Sequence, residues 1–128
     1  KNQFISVGDE GTMKRWELSG NPIEIKAISS SKKFSENFSS VAISSDNHLV
    51  IAGSTMGTLL GWDPSKASSL LIPLFKGDGK CTGIYFIPSD IYYSLVCVFE
   101  KGAHLISLDK VTLKLVKDQN LPLSQNLS

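Results

Sequence analysis

The sequence has few of the residues that usually carry chemistry or cross a membrane. Its 128 residues include two cysteines and two histidines, and the net charge is +1. This charge is far below the basic excess of domains that neutralise nucleic-acid phosphates, so we do not expect a nucleic-acid partner. The longest apolar runs, Leu70–Phe75 and Leu95–Phe99, are much shorter than the roughly 20 residues of a membrane-spanning helix. We therefore expect no membrane partner.

The cysteines are too few and too widely spaced to hold a small domain together. Cys81 and Cys97 form no CxxC pair, which excludes a paired-cysteine zinc site and a disulfide framework. Both fall in predicted strands, where cysteine behaves as a small apolar residue. We expect reduced, buried thiols, which favour an intracellular location in the cytoplasm or nucleus.

Catalytic motifs are also missing. The glycine-rich segment 77–83 has Thr82 where a dinucleotide-binding fingerprint needs glycine, and Cys81 where a P-loop needs serine or threonine. Neither His48 nor His104 has a second ligand at metal-binding spacing, and no Gly-x-Ser-x-Gly elbow occurs. We predict that the chain is not an enzyme and that it has no catalytic residues, no metal and no cofactor.

Short apolar–polar alternations separated by turn-forming residues run along the whole chain, which is typical of an all-β protein. They predict eleven strands: Gln3–Val7, Thr12–Leu18, Ile23–Ile28, Ser40–Ser44, Leu49–Gly53, Thr58–Asp63, Leu70–Phe75, Cys81–Ile87, Ser94–Phe99, His104–Leu108 and Leu113–Lys117. The polar tail 119–128 is expected to be extended or frayed.

One stretch of the sequence occurs twice. Phe4–Leu18 and Val50–Pro64 share a β-rich run, a Gly-Thr turn and a tryptophan five residues after the glycine. Trp16 and Trp62 are 46 residues apart, and so are the two turn glycines. We expect both indoles to be buried on equivalent strands. A third, weaker copy places Gly102 45 residues after Gly57.

In this third copy, the tryptophan position falls on Ser107 or Leu108.

A period of this length, with a glycine turn and the dipeptide Trp62-Asp63, resembles the WD40-repeat β-propeller family. The resemblance implies blades of four antiparallel strands, a to d. Residues 1–28 then supply strands b to d of one blade, 40–75 form the second and 81–117 the third, giving a partial propeller over 1–118. No Gly-His pair precedes strand a, and the family's His–Ser/Thr–Asp–Trp hydrogen-bond network is incomplete in every unit.

About three blades are too few to close a ring, because propellers have about four to eight. We therefore expect an incomplete ring. The remaining blades of the same propeller, or other protomers, are the expected neighbours.

The resemblance implies a non-catalytic scaffold or adaptor that binds protein partners through propeller loops. Two alternatives stay open. The chain could be the targeting or regulatory portion of a larger enzyme, or a propeller that binds a sugar or nucleic acid in its axial channel.

The family's usual partner-binding face is formed by the d–a and b–c loops. In this sequence, those loops give a set of candidate contact residues, the first five from one loop: Lys32, Lys33, Phe34, Glu36, Phe38, Asp9, Glu10, Met56, Lys80 and Lys101. Exposed aromatics beside charges resemble a binding hot spot. Alternatively, Phe34 and Phe38 fold back and cap the blade beneath them.

Overall fold

The protein is all-β in a computed structural model that describes residues 2–8, 11–64 and 71–122. These residues form eleven strands: β1 Asn2–Val7, β2 Met13–Ser19, β3 Glu24–Ser30, β4 Phe38–Ile43, β5 Val50–Ser54, β6 Thr58–Trp62, β7 Ile72–Lys76, β8 Cys81–Ile87, β9 Tyr92–Phe99, β10 Gly102–Asp109 and β11 Leu115–Leu121. The described ranges contain no helix with the length and apolarity to cross a membrane. Each predicted strand has a counterpart.

The strand ends also follow the prediction closely, with one exception. All other ends lie within two residues of their predicted positions, but β11 continues to Leu121, into the segment predicted as a tail. Its residues pair with β10 down to Ala103↔Leu121. Sheet hydrogen bonds therefore order this polar segment despite its composition. Residues 123–128 of the predicted tail and Leu70 lie outside the described residues.

The strands form three antiparallel sheets in which consecutive strands are neighbours. The first sheet has the order β1-β2-β3, the second β4-β5-β6-β7, and the third β8-β9-β10-β11. The second and third sheets meet through β8, which packs against β4 and β5, and the first and second meet where β1 lies beside β4. The result is an open row of three sheets.

Two apolar layers hold the row together. The larger lies between the second and third sheets and includes Leu49, Ile51, Leu95, Phe99 and Ile106. The smaller lies between the first and second sheets and consists of Met13, Phe38, Val50, Ala52, Leu60 and Trp62. The outer sheets thus bury one face each and the second sheet buries both, as layered β proteins require.

The hairpins β1–β2 and β5–β6 of the first two sheets have the same register. Phe4 lies opposite Trp16 in the first sheet, and Val50 lies opposite Trp62 in the second. The second pair follows the first by 46 residues, which is the length of the sequence repeat. The two tryptophans therefore occupy equivalent strands, as predicted. Trp62 is 1% exposed, whereas Trp16 is only half-buried.

The third sheet differs by one residue in its central hairpin. Leu95, the counterpart of Val50, lies opposite Ile106. The tryptophan position is therefore Ile106, and the prediction of Ser107 or Leu108 is wrong. The physical reason is the turn, because β9 and β10 are joined by Glu100 and Lys101 alone, whereas three residues join β5 and β6.

Candidate functional site

Loops from all three sheets meet along one side of the molecule. We call this side the loop edge; it consists of the connections 31–37 and 77–80 and the turns 8–12, 55–57 and 100–101. Within the turn 8–12, Asp9 and Glu10 lie outside the described residues. Among the described residues, the loop edge contains all the predicted partner-binding residues except Phe38, which is the first residue of β4.

Each long connection is hydrogen-bonded to the turn of its own sheet. The Phe34 amide donates to the Gly11 carbonyl at 2.7 Å, and the Gly77 amide donates to the Gly57 carbonyl at 2.8 Å. Gly11 and Gly57 are equivalent in the sequence repeat, so the same bond is formed twice. Backbone hydrogen bonds of this kind fix the position of a loop that would otherwise be solvated.

Each long connection is also bonded to the turn of the next sheet. The Thr55 amide donates to the Asn37 carbonyl at 2.8 Å, and the Glu100 amide donates to the Lys80 carbonyl at 3.0 Å. The Lys101 amide adds a third bond, to the Asp78 carbonyl at 3.2 Å. The loop edge is therefore one continuous hydrogen-bonded surface across all three sheets.

Two turns can approach the connections this closely because they contain glycine. Gly11 and Gly57 have φ angles of 75° and 92°, a region that favours glycine. A Cβ atom on Gly11 would lie 2.2 Å from the Phe34 carbonyl oxygen, and one on Gly57 would lie 2.6 Å from that of Gly79. In contrast, a Cβ atom on Gly102 would meet nothing within 4 Å.

Carboxylates complete the internal bonding of the loop edge. The Ser54 hydroxyl donates to Glu36 Oε1 at 2.6 Å and accepts the amides of Met56 and Thr58. In the next sheet, the Lys80 amide donates to Glu100 Oε1 at 2.7 Å. Glu36, predicted as a contact residue, thus has a structural role in holding its loop against β5.

Five of the eight predicted contact residues that the structure describes are exposed. Lys32, Lys33, Lys80 and Lys101 are exposed, and Met56 is 59% exposed. They lie on different loops, and the loop edge brings them to the same side of the molecule. Asp9 and Glu10 fall outside the described residues.

Phe34 and Phe38 do not form the exposed aromatic pair that a binding hot spot requires. Phe38 is 6% exposed and packs in the layer between the first and second sheets. Phe34 is half-buried against the same layer, and its ring stacks on Phe38 with centroids 6.0 Å apart. The prediction of Phe38 as an exposed contact is therefore wrong, and the alternative of a folded-back pair is confirmed. The cause is the apolar gap beside Met13, which Phe38 fills.

A depression of about 550 Å³ lies at the end of the loop edge, and sequence reasoning missed it. Its lining includes Lys76, Asp78, Lys101 and His104. The His104 Nδ1 atom lies 2.9 Å from Asp118 Oδ1. These two residues are on paired strands, and no spacing in the sequence indicates their contact. The described residues contain no group of metal-ligating side chains.

The opposite edge has its own cross-sheet contact. Asp46, in the β4–β5 turn, accepts hydrogen bonds from the Ser44 hydroxyl at 2.5 Å and from the Tyr93 hydroxyl of the third sheet at 2.7 Å. The His48 amide also donates to it at 2.9 Å. Partial burial raises the pKa of Asp46, but these three hydrogen bonds outweigh it and lower the pKa to about 2. Burial and the Asp46 charge raise the pKa of Tyr93 to about 12.

The two cysteines are buried free thiols, as predicted. Burial raises the pKa of Cys97 to about 12 and also raises that of Cys81. A reactive cysteine has a lowered pKa and is accessible. Both thiols therefore behave as packing residues in the larger apolar layer, between the second and third sheets.

Comparison with known proteins identifies a fold but no family. No family model matches the chain, and no curated protein matches it. Among solved structures, 119 chains match. One is that of U3-55K, a WD40 protein, with a TM-score of 0.66 and 15% sequence identity. The match covers 90% of this chain and 35% of the U3-55K chain, so the likeness is one of fold, over about a third of that structure.

Proposed function

We propose that the chain is a non-catalytic scaffold of the WD40 propeller type, which binds a protein partner through the loop edge. The observation that carries the proposal is the repeated bonding of each long connection to two successive turns. It produces a preorganised surface, and preorganisation lowers the entropic cost of binding. The resemblance in fold to a WD40 protein supports the same reading.

In this proposal, the three sheets are successive propeller blades, and the first is incomplete. The equal register of the first two sheets and the four-stranded second and third sheets support it. Three blades do not close a ring. We propose that further blades, from the same polypeptide or from other protomers, complete the assembly.

The loop edge presents exposed charges of both signs. Lys32, Lys33, Lys80 and Lys101 are exposed, and so are Asp78 and Glu100, whereas Glu36 is half-buried and accepts a hydrogen bond from the Ser54 hydroxyl. Complementary charge sets the orientation and the association rate of a complex more than its final affinity. Met56, 59% exposed, adds an adaptable apolar contact.

The experiment is an affinity capture with charge-reversed variants. Lys32→Glu with Lys33→Glu changes the loop edge, and Lys110→Glu with Lys114→Glu makes the same change in charge at exposed lysines of the β10–β11 turn. Proteins captured from a cell extract are quantified, and the best candidate is purified and titrated against each variant. We expect at least a tenfold loss, about 1.4 kcal/mol, for the loop-edge variant alone.

Equal affinity of the two folded variants, or loss only in the β10–β11 variant, would contradict the proposal. Circular dichroism and urea unfolding provide the folding control for both variants.

A further inference from the structure

The depression at the end of the loop edge lies between the second and third sheets, both of which have four strands. One side is formed by the end of β7 and the connection that follows it, and the other by the facing parts of β10 and β11. Its volume of about 550 Å³ is in the range of ligand-binding pockets. The polar side chains of its lining are Lys76, Asp78, Lys101, His104 and Asn120.

Two of these polar residues occupy positions that are apolar in the second sheet. His104 lies two residues before the tryptophan position of the third sheet, as Leu60 does in the second, and Leu60 is 1% exposed. Asn120 lies opposite His104, where Pro73 lies opposite Leu60. Packing between sheets is served better by the apolar residues. The polar pair therefore indicates a role other than packing.

The His104 ring is held in place on two sides. Its Nδ1 atom lies 2.9 Å from Asp118 Oδ1, and the ring makes an edge-to-face contact with Phe75 of the second sheet, with centroids 4.9 Å apart. An ionised carboxylate only accepts hydrogen bonds, so Nδ1 carries a proton and donates to Asp118. The other ring nitrogen, Nε2, has no hydrogen-bond partner within the described ranges. In the neutral ring, Nε2 is therefore a free acceptor at the depression.

Two ammonium groups give the lining an excess of positive charge. Lys101 is exposed, and its ammonium group bonds to nothing in the part of the chain that the structure describes. The Lys76 ammonium group donates to the Met56 carbonyl, which uses one of its three protons. The lining contains one carboxylate, that of Asp78. The depression thus combines hydrogen-bond donors from two sheets with a single free acceptor nitrogen.

We propose that the depression binds a phosphate monoester through the ammonium groups of Lys76 and Lys101 and through His104 Nε2. A phosphate monoester has three acceptor oxygens, and its second pKa is about 6. Part of its population keeps a proton near pH 7 and donates it to Nε2, while the other oxygens accept from the lysines. A carboxylate at this pH only accepts, so it leaves Nε2 unpaired. The proposal holds whether or not a protein partner binds elsewhere on the loop edge.

The test is a titration of the 128-residue protein with a capped peptide, Ala-Gly-Xaa-Gly-Ala, in which Xaa is phosphoserine, glutamate or serine. Amide chemical shifts report the binding. For the phosphoserine peptide, we expect saturable shifts at residues 76–78, 101–104 and 120–121. The other two peptides should bind at least tenfold more weakly, as for the loss of a charge-assisted hydrogen bond. Equal binding of the phosphoserine and glutamate peptides, or shifts only outside the depression, would overturn the proposal.

Free O-phosphoserine distinguishes the two sources of such a phosphate group. If the phosphoserine peptide binds at least tenfold more tightly than O-phosphoserine, the site belongs to a phosphorylated partner chain. Equal binding of the two assigns the site to a small phosphorylated molecule. Saturable binding of inorganic phosphate alone would overturn the assignment of a monoester.

Two charge changes in the lining should alter the affinity in opposite directions. Lys101→Gln removes an attractive charge and should weaken the phosphoserine peptide at least tenfold, whereas Asp78→Asn removes a repulsive charge and should strengthen it at least twofold. Lys114→Gln and Asp90→Asn are the matched controls at exposed turns of the opposite edge, and each should change the affinity less than twofold. A change of the same sign in both lining variants would contradict the proposal.

Gly102→Leu fills the depression without a change in charge. Gly102 lines the depression, its φ is not positive, and a Cβ atom there would meet nothing within 4 Å. The leucine side chain would point to the same side of β10 as His104. We expect at least a tenfold loss of phosphoserine-peptide affinity with an unchanged urea midpoint. His104→Leu, which introduces the apolar residue of the second sheet, should cause a similar loss. Unchanged affinity in either folded variant would overturn the proposal.

Discussion

Trp16 and Trp62 lie at the same register position in successive sheets, opposite Phe4 and Val50 respectively, yet they differ in burial. Trp62 is 1% exposed because the first sheet covers it. Trp16 lies on the face of the first sheet that points away from the second, where its ring stacks on Phe4 and its Nε1 donates to the Ser6 hydroxyl at 2.8 Å. Position in the row, rather than the repeat, therefore decides how much each indole contributes.

This difference predicts unequal costs for the two truncations. Trp62→Ala should lower the free energy of unfolding by roughly 3–5 kcal/mol, as for other large core aromatics. Trp16→Ala should cost roughly 1–2 kcal/mol, because the indole buries less area and loses one hydrogen bond. Urea unfolding followed by circular dichroism measures both, and equal costs would contradict the interpretation.

The turn glycines Gly57 and Gly102 should also differ in how much they contribute to stability. Gly57→Ala should destabilise the protein by roughly 1–3 kcal/mol, since its Cβ would meet two carbonyl oxygens at a positive φ. Gly102→Ala should change stability by less than about 0.5 kcal/mol, because the space around it is open. Thermal unfolding of the two variants compares them directly. A larger effect at Gly102 would contradict the turn geometry.

The Asp46 carboxylate predicts a pH dependence of stability. Its pKa in the folded protein is about 2, against an ordinary value of 3.8, so the charged form is favoured by folding. This contribution is complete above about pH 4 and is lost as the pH falls toward 2. Asp46→Asn should flatten the stability profile between pH 4 and pH 2. Urea midpoints across this range, with Asp90→Asn as an exposed turn control, give the comparison.

Phe38 provides a prediction about the loop edge. Phe38→Ala should cost roughly 3–5 kcal/mol, because it leaves a cavity beside Met13 and Trp62. Lys32→Ala, on the connection that leads into β4 and exposed, should leave stability within about 0.5 kcal/mol. Urea unfolding measures both costs. A small cost for Phe38→Ala would indicate that Phe34 and Phe38 are surface contacts.

Strand positions could be read from the sequence because alternation and turn residues are local signals. The strands around Trp16 and Trp62 were predicted to within one residue, since each is bounded by glycine or another turn former. The sequence alignment of the third sheet with the second was off by one residue in β10. Its register depends on a turn of two residues, Glu100 and Lys101, and a loss of one residue in a turn leaves no trace in the apolar pattern.

The candidate site was harder to predict, because it depends on which side of a loop faces the core. Phe34 and Phe38 have the same sequence surroundings as an exposed hot spot, and only the layer formed by Met13 and Leu60 decides that they point inward. The contact between His104 and Asp118 likewise depends on strand pairing across 14 residues of sequence. Local composition contains no information about either contact.

The shared register of the first two sheets has a consequence for how such a chain can grow. A duplication of 46 residues whose two ends fall at equivalent positions of the β1–β2 and β5–β6 hairpins joins backbone positions of the same register. The inserted copy then adds one whole sheet without a new type of junction in these hairpins. A deletion of the same length between the same two hairpins removes one whole sheet.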